Sequence, residues 1–422
     1  MIALAYAVLS GPAVSPKDDL DHDDGHLHES AQRRLTFDES IGASASSPIV
    51  TGFEDAAQDK RARDRDIPRL SRNPQLTVMP GARVNAGDDN GFEFQGTLSQ
   101  SWNLEGYGRA RRSSARAETE VLESEARAKA LEQQFGAAKA WVRLHAAEQS
   151  LALARADLEL AEQLVATLET AREAGVATRV EVAEARTIAA ETAAVVVELA
   201  GEVHDLGLAL ARETNKLMTT PLGTQGDYPN PALPDEAELR RRFAEVDKLP
   251  AVQLRRVRAR AALAVANETE RSRGALLTTG VSIQRESMGD VVAFGLIGAS
   301  IPIVDRNQRE QASARAAARQ SEAQAEQLAI ELSAVLGIAL HELRHTRERV
   351  ELLRDRTLPA LDELITARTA ALELGEGTRV LLLEAQHERT AVARKLAAAE
   401  ADWVWARVEV WLYLEALDTE DR

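Results

Sequence analysis

Two histidines and a glutamate in the second half of the chain have the spacing of a zinc-hydrolase motif, H-E-x-x-H, from His341 to His345. On a helix this spacing places both imidazoles on one face, where they can bind zinc while Glu342 acts as general base on a zinc-bound water. A catalytic zinc also needs a third ligand, for which Glu363 is available, and a cleft. The motif lies midway along a long helical stretch, so a zinc metalloprotease is a remote alternative.

A second group of possible metal ligands lies near the N-terminus, where His22, His26 and His28 accompany five aspartates between residues 18 and 24. Histidine and carboxylate side chains can hold a divalent cation loosely. The pattern favours a solvated charge run instead, because no second cluster or fixed spacing supports a site. We interpret residues 1–34 as a signal remnant, apolar but without a basic n-region, followed by an acidic, histidine-containing flexible tail.

A stretch that occurs twice carries the remaining charged candidates. Gly175–Ala185 and Gly375–Ala385 both read G-x-x-T-R-V-x-x-x-E-A, at an offset of 200 residues. Glycine ends a helix at positive φ without steric cost, and threonine can cap the helix that follows. Each copy therefore predicts the tight turn of a long helical hairpin, and the fixed offset predicts two similar halves.

The composition limits the classes of partner and of chemistry. The chain of 422 residues has a formal net charge of −16, which argues against nucleic acid as a partner, because a phosphate backbone requires a basic surface. It contains no cysteine, which removes disulfides, thiol catalysis and thiolate metal sites. Aromatic residues make up only 4% of the chain, which fits long helices better than a sandwich or an α/β enzyme. No uninterrupted apolar run reaches the roughly 18 residues of a spanning helix.

Both halves of the chain repeat one order of elements: helix, β-hairpin, long helix, turn and return helix. A helix as long as those predicted here extends on the order of 100 Å, so it needs a coiled-coil-like partner. The first repeat is predicted over 35–220, with a hairpin at 75–104, a long helix at 107–173 and a return helix at 178–216. After a linker at 221–234, the second repeat over 235–422 has a helix at 236–272, a hairpin at 275–304, a long helix at 307–373 and a return helix at 378–417.

The four predicted strands need partners, because two lone hairpins leave unpaired edges. In a trimer, four strands per chain would supply twelve, enough to close a barrel, and their length suits tilted strands that cross a bilayer. The predicted fold is mainly α with a small β part. Internally duplicated helical hairpins form an α-barrel, and the strands contribute to a trimeric β-barrel.

With these features the chain resembles the TolC-like outer-membrane factors, the exit ducts of bacterial tripartite efflux pumps and type I secretion systems. The resemblance extends from about Leu35 over nearly the whole chain. It rests on the duplicated plan, the strand-to-helix junctions, the two turns, the opening L-T-F-D-E-S at Leu35–Ser40 and the L-E-A-Q at Leu383–Gln386.

One junction resembles the heavy-metal branch of that family, whose members export cobalt, zinc, cadmium, nickel, copper or silver. Ile301–Gln308 reads I-P-I-V-D-R-N-Q and is similar to the L-P-L-F-D-R-N-Q-G stretch of the branch. Asn73–Leu76, reading N-P-Q-L, is similar to that branch as well. The chain departs from the pattern at Arg309, where the branch has glycine, and at Ser101–Gly106, which lacks the usual proline and one glycine.

The resemblance implies a passive homotrimeric channel in the bacterial outer membrane that extends into the periplasm. Its partners would be outer-membrane lipid, a periplasmic membrane-fusion adaptor and an inner-membrane RND-type transporter that supplies the energy. It therefore implies no cofactor and no catalytic residues.

The resemblance also assigns roles to the two turns. The residues that would lie at the periplasmic tip and contact the adaptor are Gly175, Thr178, Arg179, Gly375, Thr378 and Arg379. Acidic side chains that ring the closed entrance in the family correspond to Glu181 and Glu184 in the first copy and Glu384 in the second, while Leu381 replaces the remaining acid. Carboxylates repeated by three-fold symmetry at a constriction favour cations over anions. For each residue, the alternative is a solvated position at a helix end.

Two further alternatives remain open. A duct of the same family could export drugs or secrete proteins by the type I route instead of exporting metals. A soluble coiled-coil scaffold would account for the helices, but it leaves four strands in duplicate unexplained.

Overall fold

A computed structural model describes residues 33–67, 73–83, 91–216, 220–286 and 289–419. The predicted signal remnant and the histidines at 22, 26 and 28 lie outside these residues. The first half contains β1 (Arg34–Leu35), α1 (Phe37–Ala45), α2 (Pro48–Arg65), β2 (Gln75–Arg83), β3 (Gly91–Asn103), α3 (Tyr107–Glu173) and α4 (Arg179–Glu213). The second contains β4 (Gly223–Thr224), α5 (Glu236–Phe243), α6 (Pro250–Ser272), β5 (Leu276–Arg285), β6 (Val291–Ser300), α7 (Gln308–Leu352), α8 (Leu358–Glu373) and α9 (Arg379–Thr419).

Helix α3 is continuous over 67 residues, a length of about 100 Å. Its buried positions recur every seven residues, which gives the narrow seam of a coiled coil. It packs against α4 and α9, and α9 packs in turn against α8. The helices that approach the turns therefore lie in the order α4, α3, α9, α8. The seven-residue spacing of the buried seam is seen at Ala140, Ala147, Ala154, Ala161 and Leu168.

The main core lies where the middle of α3 meets both ends of the first repeat. Trp141 is fully buried, and its Nε1 donates a hydrogen bond of 2.8 Å to the carbonyl oxygen of Leu35. Phe37 packs edge-on against the same indole. The pairing of β1 with β4 is parallel and holds the N-terminal segment beside the linker. The core thus joins the start of the first repeat to the end of α4, to the linker and to α9 of the second repeat.

Two predicted helices in the second half are interrupted at prolines. The stretch predicted at 236–272 forms two helices, because Pro250 keeps Leu249 in an extended conformation with φ −61° and ψ 139°. The helix predicted at 307–373 contains a π turn over Leu353–Thr357. Pro359 follows this turn; it has no backbone N–H to donate, and its ring excludes regular α geometry one turn earlier.

The two β-hairpins of one chain join into a single antiparallel sheet in the order β2-β3-β5-β6. The joint is the pairing of β3 with β5, which runs from Phe94 opposite Arg285 to Asn103 opposite Leu276. β2 and β6 are the edges of this sheet in the single chain.

The sheet has the polarity opposite to that of a water-soluble sheet. Apolar side chains on one face are exposed, whereas small polar side chains on the other face bond across the β3–β5 joint. Ser282 is buried, and its Oγ lies 2.9 Å from Thr97 Oγ1. The polar side chains at the β3–β5 joint thus bond to one another, and the apolar face has no cover within the chain. On β6 the face that carries Ser282 is apolar as well, with Val292, Phe294 and Leu296 exposed. The exposed apolar side chains include Leu76, Val78, Phe92, Leu98, Trp102, Val281, Ile283, Val291 and Ile297.

In the part of the chain that the structure describes, one helical stretch, Gln308–Glu373, has an 18-residue window apolar enough by composition to cross a membrane. The stretch spans 66 residues, far longer than a bilayer crossing, and α7 packs along α6 and α9. Its exposed apolar side chains include Ile330 and Ile338.

Candidate functional site at the helical turns

Both repeated stretches form tight turns between antiparallel helices. Gly175 and Gly375 have φ of 75° and 77°, the left-handed conformation that ends a helix. At the first turn, the amide of Val176 bonds to the carbonyl oxygen of Ala171 at 2.8 Å. The next helix begins at the arginine after each threonine, so the turns bring Arg179 and Arg379 to the ends of the hairpins.

The two turns differ in how their threonines cap the next helix. Glu181 N donates to Thr178 Oγ1 at 3.2 Å, and Glu181 Oε2 accepts from Thr178 N at 2.8 Å, which completes a capping box. These hydrogen bonds from the backbone and side chain of Thr178 lower the pKa of Glu181. At the second turn, Leu381 N donates to Thr378 Oγ1 at 3.3 Å, but leucine cannot return a hydrogen bond. Glu181 thus has a local structural role that sequence reasoning missed.

The valines of the two T-R-V sequences have opposite environments. Val380 is 3% exposed and packs against the first hairpin, in a cluster with Leu168, Val182 and Ala185. Its counterpart Val180 is 63% exposed. The second turn is therefore held against the first hairpin, whereas the first turn presents its valine outward.

The acidic residues predicted in the two copies come together. Glu184 and Glu384 line one shallow depression, together with Arg179. Glu184 and Glu384 are both exposed, so they remain free to meet an ion or a partner. Arg379 is exposed at the second turn and lies outside this depression.

An adjacent depression is basic, and sequence reasoning did not find it. Arg172, Arg179 and Arg186 line it together with Glu173. Arg186 Nε donates to Glu169 Oε1 at 3.0 Å, so one of the three charges is partly neutralised. The signal was present as arginines flanking the turn on both helices, but only the hairpin brings them to one surface.

A contact between a half-buried histidine and a buried aspartate links the two hairpins at some distance from the turns. His387 Nδ1 lies 2.7 Å from Asp157 Oδ2, and the Asp157 side chain is 2% exposed. Thr192 Oγ1 lies 3.5 Å from the same His387 nitrogen. The contact joins α3, α4 and α9, and its members are too far apart in sequence for any spacing rule to identify them.

The H-E-x-x-H motif does not form a hydrolytic site in the described residues. His341 and His345 are exposed on α7, whereas Glu342 between them in sequence is half-buried. Burial raises the pKa of Glu409, and the negative charge of Glu342 adds to this effect. Among the residues described, no group of three or more His, Cys, Asp or Glu side chains could hold a metal ion.

No protein-family model and no curated protein sequence matches the chain. Its fold is similar to that of CusC, solved in a study of folding and transmembrane channel formation, with a TM-score of 0.71 and 17% identity over 90% of this chain and 91% of CusC. The outer-membrane channel OprN is similar with a TM-score of 0.65 and 20% identity, over 90% of this chain and 89% of OprN. The outer-membrane protein VceC from Vibrio cholerae is similar with a TM-score of 0.63 and 18% identity, over 90% of this chain and 95% of VceC.

These likenesses define the fold class. The chain is mainly α with a small β part, and it shares the long-helix fold of CusC, OprN and VceC. The predicted fold class is therefore confirmed.

Proposed function

We propose that the protein is the outer-membrane exit channel of a tripartite efflux system, a passive conduit from periplasm to exterior. The observation that carries this proposal is the polarity of the sheet. One face is apolar and exposed, the polar side chains of the other face bond across the β3–β5 joint, and the two edges are open. This arrangement suits a pore wall in lipid, where apolar residues face outward and every backbone group is paired by closure.

The internal repeat indicates how copies would join into a homotrimer. Within one chain, the long helix of the first half packs against the return helix of the second, α3 against α9. Exchanging the halves pairs α8 of one copy with α4 of the next, and both helices have an open side. Exposed apolar residues on the first hairpin, Val180 and Val197, support this contact. Three copies would also bring β6 of each chain to β2 of the next, giving twelve strands.

The turns suit a periplasmic tip that meets other proteins and selects ions. We assign adaptor contact to the residues of both turns, where Arg179 and Arg379 are exposed at the ends of the hairpins. The adaptor would connect the channel to an inner-membrane RND-type transporter. Glu184 and Glu384, repeated by symmetry, would favour cations at the entrance. Glu181 remains a candidate of the same ring, with its charge directed to the cap of α4.

Divalent heavy-metal cations are the proposed substrate. The support is the I-P-I-V-D-R-N-Q junction at Ile301–Gln308 and the carboxylates at the turns. In the junction, Asn307 adopts φ 59° and its side chain donates to Thr269 O at 3.2 Å and to Ser272 Oγ at 3.0 Å. These bonds fix the entry of α7 against the end of α6, which explains an asparagine at this position. A multidrug or type I secretion duct is the alternative.

Electron microscopy and planar-bilayer recording of the detergent-extracted protein test the channel. We expect a trimeric cylinder well over about 100 Å long, as the helix length requires, and cation-selective conductance. Glu184→Gln with Glu384→Gln should lower the cation-to-anion permeability ratio several-fold, whereas the exposed Glu54→Gln on α2 should leave it unchanged. A compact monomer without conductance would refute the duct. Sensitivity of a deletion strain to drugs but not to zinc, cobalt or cadmium would favour the alternative substrate.

A further inference from the structure

The two histidines of the unused H-E-x-x-H motif form a pair on the surface of α7. Their ring centroids are 5.9 Å apart and the rings are inclined by 5°. Both side chains are exposed, and neither ring has a hydrogen bond to another described residue. A pair of imidazoles four residues apart on one helical face can supply two nitrogen ligands to one metal ion.

The repeat shows that packing does not account for this pair. The corresponding residues of α3 are Trp141 and His145, whose rings also stack, at 4.9 Å. There the indole is fully buried, and both imidazole nitrogens have partners: Nδ1 lies 2.9 Å from Thr224 Oγ1 and Nε2 lies 3.0 Å from Gln149 Nε2. In the second repeat, the same positions carry two exposed imidazoles, whose nitrogens have no hydrogen-bond partner among the described residues.

The surroundings of the pair are compatible with a cation. Glu348 is exposed and lies three positions after His345, on the same helical face. Arg344 is exposed between the histidines in sequence, whereas the nearby Arg347 is paired with Glu351 at 2.8 Å. Since no described residue completes a set of three ligands, water would fill the remaining coordination positions. A two-nitrogen site of this kind exchanges its metal readily, unlike a structural zinc site with four protein ligands.

We propose that His341 and His345 bind one divalent transition-metal cation as a surface chelate, with Cu²⁺ preferred over Ni²⁺ and Zn²⁺. The preference follows from the imidazole donors and from the order of stability of divalent metal complexes. The site does not depend on the proposed transport function, because its ligands belong to one helix of one chain.

The test is calorimetric titration of the full-length protein in detergent with Cu²⁺ alone. His22, His26 and His28 are replaced by glutamine in every sample, so that the N-terminal histidines do not contribute. We expect one site per chain, and at least a tenfold loss of affinity for His341→Gln and for His345→Gln. The matched control is His204→Gln, which removes an exposed histidine from α4 and should leave the affinity unchanged.

Electron paramagnetic resonance of the Cu²⁺ complex gives a second, independent measurement. The unsubstituted pair should give hyperfine coupling to two imidazole nitrogens, and either single variant should reduce this to one. Because both side chains are exposed, circular dichroism should show the same helical content in all variants. Equal Cu²⁺ affinity in the variants and the control, or a spectrum without coupling to two nitrogens, would overturn the proposal.

Discussion

The repeat supplies a matched pair of substitutions, Val380→Ala and Val180→Ala, that tests the packing at the turns. Val380 is 3% exposed beside Leu168 and Val182, so its truncation removes two buried methyl groups. At about 0.8 kcal/mol for each group the transfer loss is about 1.5 kcal/mol. The cavity that remains raises the total towards about 3 kcal/mol. Val180 is 63% exposed, so the same truncation costs almost nothing within a single chain.

Hydrogen exchange followed by mass spectrometry measures this cost locally, which avoids assuming two-state unfolding for a protein of this size. A loss of about 1.4 kcal/mol corresponds to a tenfold faster exchange. For Val380→Ala we expect tenfold to a hundredfold faster exchange in peptides from the first turns of α9. Peptides from the sheet should be unaffected and serve as the internal control.

The two substitutions also distinguish contacts within one chain from contacts between copies in the trimer. If α4 packs against α8 of the next copy, Val180→Ala should accelerate exchange at the start of α4 in the trimer. Unchanged exchange there would refute the proposed contact between copies. Unchanged exchange in α9 for Val380→Ala would refute the cluster itself, and with it the conclusion that the two turns are not equivalent.

Two further predictions concern caps and pH. Thr178→Ala should destabilise the start of α4 by about 1 kcal/mol. The effect of Thr378→Ala on α9 should be smaller, because only the first turn has a complete capping box. Hydrogen exchange of the amides in the first turn of each helix measures both effects. Burial lowers the pKa of His145, so the folded state disfavours its protonation. The stability that this provides is present above the unfolded pKa of about 6.5 and is lost as the pH falls through that value towards the folded pKa. Melting temperature should therefore fall between pH 7.5 and 5, and His145→Gln should flatten that dependence; an unchanged slope would contradict the assignment.

The elements at the turns follow from local rules, and the contacts between them do not. Thr36 and Thr178 each form a capping box with the glutamate three residues later, which is a pattern visible in the chain itself. The opposite exposure of Val180 and Val380 is invisible there, because both belong to identical T-R-V sequences. Val380 is buried and Val180 is not, because one chain contains the contact of α3 with α9. The equivalent contact of α8 with α4 would require a second copy.

The candidate site shows the same division. The sequence predicted Glu184 and Glu384 as counterparts, and the hairpins bring them to one depression. It did not predict the basic depression around Arg186 or the pair of His387 with Asp157, since each depends on which helices become neighbours. The motif at His341 has the right spacing for zinc hydrolysis, but no described residue completes a set of three metal ligands around its histidines.

By itself, the sequence determined the duplicated plan, the long helices, the turns and the alternating strands. These depend on periodicity, on positive φ at glycine and on capping, all of which act over a few residues. The tertiary structure alone decided that β3 pairs with β5, which valine is covered, and which charges meet across helices. These outcomes depend on contacts between residues far apart in the chain, whose free energy is gained only when whole helices and strands pack together.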